Sequence, residues 1–518
     1  MTENPLILLG IDAGDIVLIE EWASQGLLPA FASLLQDAAH SRLETPAAVL
    51  QGSIWPSFAT ACNPGKHGSY FMMQMRNGSN EVSRVRADDL LRPPFWSWFE
   101  GPDEKAVVID VPKMPPLTDI NGVQVVEWGA TDHYKTYMTV PDDLAESLLQ
   151  TFGKHPLLRT LRPPHDAAAC LRLKERLIRG VFMKHQLHEA FLERYQPRVL
   201  VSVFGETHPA GHHFWRFLEP THPDYCWHPE ASQALLEVYI AVDRAVGEIV
   251  QRYGHQANCF VFSGHGMMAD YHPHTILEDL LSRMGLTVPT QSLSNDSDSY
   301  YPSSPRALLG TLSQALPEPI KQFASRYVLP SRIQEYCMLA KVFRGIDFSK
   351  TRAFALPTDL QGFIRLNLNG REPQGLVHPD DYDKVCDDIE QVLEQLIDPE
   401  TGEKIVDTVI RPRTVYENAE NLNQLPDLCV VWTNQRAVSE VHSPQYGALS
   451  VTRQHPERSG NHRPEGFFFA MGPDIDTSVQ NCRGHLCDIA ASVFHLMNKP
   501  IPDGWDGMPL PISALSSV

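Results

Sequence analysis

The stretch GETHPAGHHFW, residues 205–215, sets His208, His212 and His213 beside an acid, Glu206, directly after the apolar run PRVLVSVF. His208 and His212 stand four residues apart. On a helix that spacing puts both rings on one face, within reach of a single cation; the same spacing also fits a His-rich surface loop, since the chain carries 22 His. A further imidazole comes from CFVFSGHGMMAD, residues 259–270, where an apolar run enters Ser263-Gly264-His265-Gly266. The flanking glycines let the backbone turn and leave His265 uncovered; the alternative is a strand-end His bonded to a carbonyl. Asp12, in LLGIDAGD, closes another apolar run and suits either a metal ligand or a helix N-cap. His462 lies just before the apolar FFFAMG, with Arg463 and Glu465 nearby, and reads either as a ligand or as a loop histidine. In LQGSIWPSFATACNPGKHGSY, residues 50–70, Ser53 precedes a helix with Pro56 in its first turn. A hydroxyl there meets the positive end of the helix dipole, which suits an anionic substrate, or it is a plain N-cap.

These groups need elements to position them. PLILLGIDAGD, EKAVVIDVP, PRVLVSVFGE, NCFVFSGHG and LPDLCVVWT are short apolar runs, most of them ending in Gly or an acid, the pattern of buried parallel strands. DAAACLRLKERLIRGVFMKHQLHEAFLERY and HPEASQALLEVYIAVDRAVGEIVQRY between them carry helical apolar spacing. The alternation predicts an α/β domain around a mostly parallel sheet flanked by helices, with ligands outside the carboxyl ends of the strands. Residues 290–345 break the rhythm with TQSLSNDSDSYYPSSP and a helical stretch, and read as an inserted helical cap. Residues 1–289 and 346–518 then form one catalytic domain, β-rich after 346, with a helix at DDYDKVCDDIEQVLEQLI and a last helix at LCDIAASVFHLMN.

The bulk composition narrows the function. With 43 Lys and Arg against 63 Asp and Glu, the net charge is −20, which argues against a nucleic-acid polymer as partner but leaves room for a small phosphorylated substrate. Nine Cys without CxxC pairs predict buried, reduced thiols. The N-terminus lacks a basic n-region, and no apolar run approaches the ~18–20 residues of a membrane span. The expected compartment is the cytoplasm.

Taken in order, GIDAGD, WPSFATACNPGKHG, ETHPAGHHFW, FSGHGM, NLNGREPQGLV, DPETGEKIV, NHRPEGFFFAMGPDI and DIAASVFHLMNKPIPDGWDGMPL resemble the type I phosphodiesterase/nucleotide pyrophosphatase family of the alkaline phosphatase superfamily. The resemblance implies an alkaline-phosphatase-like fold and two divalent ions, usually zinc. His208, His212 and His462 would hold the first. Asp12, His265 and the nucleophile's oxygen would hold the second, where Mn2+ or Mg2+ are alternatives to Zn2+. Glu206 would orient a ligand imidazole from behind, because ligating histidines usually give their other N–H to such a partner. Arg463 and Gln51 are candidates for substrate contact.

The sequence departs from the family pattern at three positions. His208 stands where the family has Asp, and Gly264 stands where it has the Asp of Ser-Asp-His-Gly-Met. The family's nucleophile, counted back from Thr60, falls on Gln51, with Ser53 two residues away. Two chemistries stay open: attack by Ser53 through a covalent intermediate, or direct attack by water at a single zinc site. The expected activity is metal-dependent hydrolysis of a phosphodiester, nucleotide pyrophosphate or phosphomonoester. The alternatives are a sulfatase acting on a sulfated substrate, a phosphotransferase, and a non-hydrolytic binding protein.

Overall fold

A computed structural model describes residues 4–514 except 87–88, 130–136, 159–163, 165, 291–342, 344, 418 and 453–456. The expected helical cap at 290–345 thus lies almost wholly outside the described residues.

The central sheet has eight strands, in the order Ala39–Leu43, Gly466–Met471, Asn258–Ser263, Leu6–Ile11, Val199–Phe204, Ala106–Ile109, Gly122–Val126 and Met138–Val140. Leu6–Ile11 pairs in parallel with Val199–Phe204 on one side and Asn258–Ser263 on the other. Ala106–Ile109 continues the parallel run to Gly122–Val126. Gly466–Met471 and Met138–Val140 pair antiparallel. The sequence reads as continuous apolar runs because both faces are covered. Ile7, Leu9 and Ile11 face one core, packed by Leu177, Phe214 and Val242 from three helices, while Leu6 and Leu8 face the other, with Phe58 and Phe494.

The expected α/β class is what the structure has, and the predicted helices are present at Ala167–Tyr195, Ala234–Tyr253, Tyr382–Leu393 and Asp488–Leu496. One strand differs from expectation. LPDLCVVWT forms Leu428–Trp432 but belongs to a separate four-stranded antiparallel sheet with Ala353–Leu356, Gly362–Leu366 and Val406–Ile410. Its run is apolar because Leu428, Val430 and Trp432 pack under the helices Ile276–Arg283 and Tyr382–Leu393, while Cys429 faces a second cluster with Tyr70 and Phe363. Burial on both faces erases the alternation that marks an antiparallel strand. The described cysteines are all free thiols; Cys226 is exposed and Cys482 half-buried, the others buried.

Candidate functional site

The carboxyl ends of the parallel strands deliver the expected groups to one place. Leu6–Ile11 ends at Asp12, Val199–Phe204 leads into the helix Thr207–Leu218 that carries the HxxxH pair, and Asn258–Ser263 leads to His265. His462 arrives on a short strand, Gly460–Arg463, which pairs antiparallel with Gly266–Ala269 so that His462 sits opposite Met267. The ribbon lies hard against the HxxxH helix. A Cβ on Gly460 would come 2.3 Å from the Gly211 carbonyl oxygen, so only glycine permits the approach.

One ligating atom from each of His208, His212 and His462 lies within 4.8 Å of the others. The hydrogen bonds fix the tautomers of two of them. His208 Nδ1 stands 2.7 Å from Asp12 Oδ2. Burial alone would raise the Asp12 pKa, but His208, His265 and the Trp55 N–H hold it well below the usual carboxylate range. Asp12 is therefore an acceptor, and His208 Nδ1 must donate. His212 Nδ1 likewise donates to the Gly460 carbonyl at 2.7 Å. Burial and the nearby charge of Arg458 hold His212 neutral. The two Nε2 atoms face each other at 3.0 Å, His212 Nε2 as an acceptor toward either a proton on His208 Nε2 or a cation shared by both rings. Two lone pairs at that distance repel unless a cation or a proton lies between them. His462, whose pKa burial also lowers, brings a third ring, with centroid distances of 4.9 Å to His208 and to His212. The donor set fits a divalent ion: three neutral imidazoles are ordinary zinc ligands, and a carboxylate behind one of them is the usual orienting partner.

The other predicted residues are placed as follows. Asp12 has both oxygens engaged, Oδ2 with His208 and Oδ1 with Trp55 Nε1 at 2.7 Å. His265 lies 3.8 Å from Asp12 Oδ1. Its ring nitrogens are buried without hydrogen-bond partners, and burial pushes its pKa down to about 3. Gly264 has no room for a side chain, since a Cβ would fall 2.3 Å from Ile54 Cγ2. Ser53 holds the N-cap position of the helix Ile54–Thr60 but makes no capping bond; its hydroxyl donates backward to the Leu50 carbonyl. Gln51 lines the cavity of about 60 Å³ beside the imidazoles, together with Trp55, Phe71, Met72, Lys113 and Arg458. Glu206 is elsewhere: it lies 3.0 Å from His155 Nε2, in a buried group with Lys184 and Asp110, and the acid behind His208 is Asp12 instead. Arg463 turns from the cavity toward Asp15, 3.5 Å away, because it follows His462 on a strand and consecutive side chains take opposite faces. His213 is buried and bonds the Glu457 carbonyl.

Two further residues on the cavity wall, Lys113 and Arg458, carry no mark in the sequence. Lys113 donates to the Gly52 carbonyl at 2.7 Å, and Arg458 pairs with Asp359 at 3.2 Å. Both sit in loops, where no periodicity marks them.

The sequence pattern of the type I phosphodiesterase/nucleotide pyrophosphatase family matches residues 6–462. The chain belongs to this family. No curated protein matches it. Among solved structures, this phosphodiesterase-family chain is similar to phosphonoacetate hydrolase from Sinorhizobium meliloti 1021 bound to phosphonoformate, at 13% identity and a TM-score of 0.48, covering 96% of this chain and 95% of that one. It is also similar to human ectonucleotide pyrophosphatase/phosphodiesterase 5, at 10% identity and a TM-score of 0.47, with 96% of each chain covered. The murine form of that protein, an inactive variant in complex with AMP, matches at 10% identity and a TM-score of 0.46, with 97% of each covered.

Proposed function

We propose that the protein is a metal-dependent hydrolase of phosphate esters, acting on a phosphodiester, nucleotide pyrophosphate or phosphomonoester bond. The observation that carries this reading is the convergence of His208, His212 and His462, one ligating atom from each within 4.8 Å of the others and the first two Nε2 atoms 3.0 Å apart. His208, His212 and His462 would hold the ion, with zinc as the best fit to three imidazoles. When bound, the ion would supply Lewis acidity and lower the pKa of an oxygen nucleophile.

The remaining residues bind, orient and exclude. Arg458 and Lys113 bring positive charge to the cavity wall and suit the phosphoryl oxygens. Trp55, Phe71 and Met72 form its apolar wall. His265 offers an acceptor nitrogen able to orient a water. In-line attack by water is favoured over attack by Ser53, because the Ser53 hydroxyl is buried and bonded to Leu50 while Gln51 faces the cavity. The packing of Ile54 over Gly264 and the double engagement of Asp12 favour a single tightly held ion; Asp12 and His265 remain the groups for a second, weaker one.

The protein loaded with zinc and freed of excess metal should retain about one equivalent and turn over nitrophenyl phosphate monoesters or diesters. His208→Ala and His462→Ala should lose both. A chain that retains no metal after loading overturns the proposal. Retained metal without turnover of any ester would support the second reading, a phosphate-binding protein, which the loss of a carboxylate at Gly264 favours.

A further inference from the structure

The imidazole cavity has a neighbour. A second cleft of about 50 Å³ is lined by Asp270, Tyr271, His272, His274 and Asn461, and Asp359 and Arg458 line both spaces. The ribbon explains the division: His462 and Asn461 are consecutive on one strand and project to opposite faces, so one serves the cavity and the other the cleft. The cleft sets two carboxylates, Asp270 and Asp359, against the one guanidinium of Arg458, while the cavity balances Lys113 and Arg458 against Asp12 and Asp359. Asp270 bonds His272 Nδ1 at 3.1 Å and Asn461 Nδ2 at 3.2 Å, and these partners hold its carboxyl below the usual range against the effect of burial. Asp359 gives one oxygen to Arg458 at 3.2 Å, while its Oδ1 is buried without a hydrogen-bond partner. A buried carboxylate oxygen left in that state is unfavourable unless something donates to it.

We propose that this cleft is the subsite for the alcohol portion of the substrate, and that it selects alcohols carrying a hydrogen-bond donor, an ammonium or a hydroxyl, a few atoms from the phosphorus. The proposal rests on the phosphate-ester reading and adds the class of the esterified alcohol. Arg458 is the hinge of the arrangement: its guanidinium faces the phosphoryl group from the cavity side and is held in place by Asp359. Asp359 Oδ1 and Asp270 receive the donor on the other side. The space suits a short chain.

Three phosphonates that share a three-carbon chain test this by calorimetry on the zinc-loaded full chain: propylphosphonate, 3-hydroxypropylphosphonate and 3-aminopropylphosphonate. Being phosphonates, they report binding without turnover. At least one of the donor-bearing ligands should bind about tenfold tighter than propylphosphonate, as a charge-assisted bond to a buried carboxylate provides. Their order tells ammonium from hydroxyl. In Asp270→Asn the advantage should fall to about threefold or less, and Arg458→Gln should weaken all three ligands together. Equal binding of the three to the unaltered chain, or no binding of the donor-bearing pair, overturns the proposal even where a variant fails to fold. Esters hydrolysed without any such preference would sink the cleft and leave the hydrolase reading standing. A preference without hydrolysis would do the reverse.

Discussion

Asp12 grips His208 with one oxygen and Trp55 with the other, so its charge sets which nitrogen of His208 is left for a metal. Asp12→Asn should weaken zinc binding by roughly tenfold to a hundredfold, the usual cost of losing an orienting carboxylate, as read by competition with a chromophoric chelator. Unchanged affinity would mean that Asp12 does not orient the ligand. Ser53→Ala should leave turnover within about twofold, and it removes a hydrogen bond worth about 1 kcal/mol of stability. A loss of a hundredfold or more would restore Ser53 as the attacking group. At this scale the sequence was legible where spacing and chemistry coincide: His208 and His212 form a helical pair, and His265 and His462 flank strands that end beside them. Arg463 misled because it stands next to His462, yet strand alternation sends it to Asp15. Arg458 and Asp359 were silent, since each stands in a loop and only the tertiary fold brings them to one wall.

Among the elements, the ribbon carrying His462 is the most sensitive part. Gly460→Ala should push it off the HxxxH helix at a cost of about 1–3 kcal/mol, as overpacking does, and metal retention should fall more than the melting temperature suggests, because His212 loses its carbonyl partner. The antiparallel sheet has its own keystone in Asp427, which accepts from Arg371, Tyr382 and the Leu366 N–H. Burial would raise its pKa, but Arg371 and Arg365 hold it below the ordinary value. A carboxyl lowered on folding stabilises above its unfolded pKa of about 3.9, and that contribution is lost as pH falls through the folded value. Melting temperature should therefore drop steeply below about pH 4, and Asp427→Asn, already destabilised near neutrality, should show a shallower drop. The elements were visible as apolar runs. The direction of Leu428–Trp432 was not, because a strand buried on both faces carries the same pattern whichever way its neighbours run.

The whole chain carries a charge of −20, while the proposed substrate is an anion. Long-range repulsion should slow encounter at low salt, so kcat/KM should rise, by about twofold or more, as ionic strength goes from ~10 mM to ~150 mM. A fall would show that the local field of Arg458 and Lys113 outweighs the global one. The order of the chain in space adds a temporal constraint. His212 and the carbonyl that orients it are 248 residues apart, and the strand Gly466–Met471 slots between Ala39–Leu43 and Asn258–Ser263. A chain emerging from the ribosome has thus made two of its imidazoles long before the third, and its sheet stays split until the last tenth is released. On the proposed reading, ion capture would then come at the close of biosynthesis, and a truncated product could not complete the set of three imidazoles.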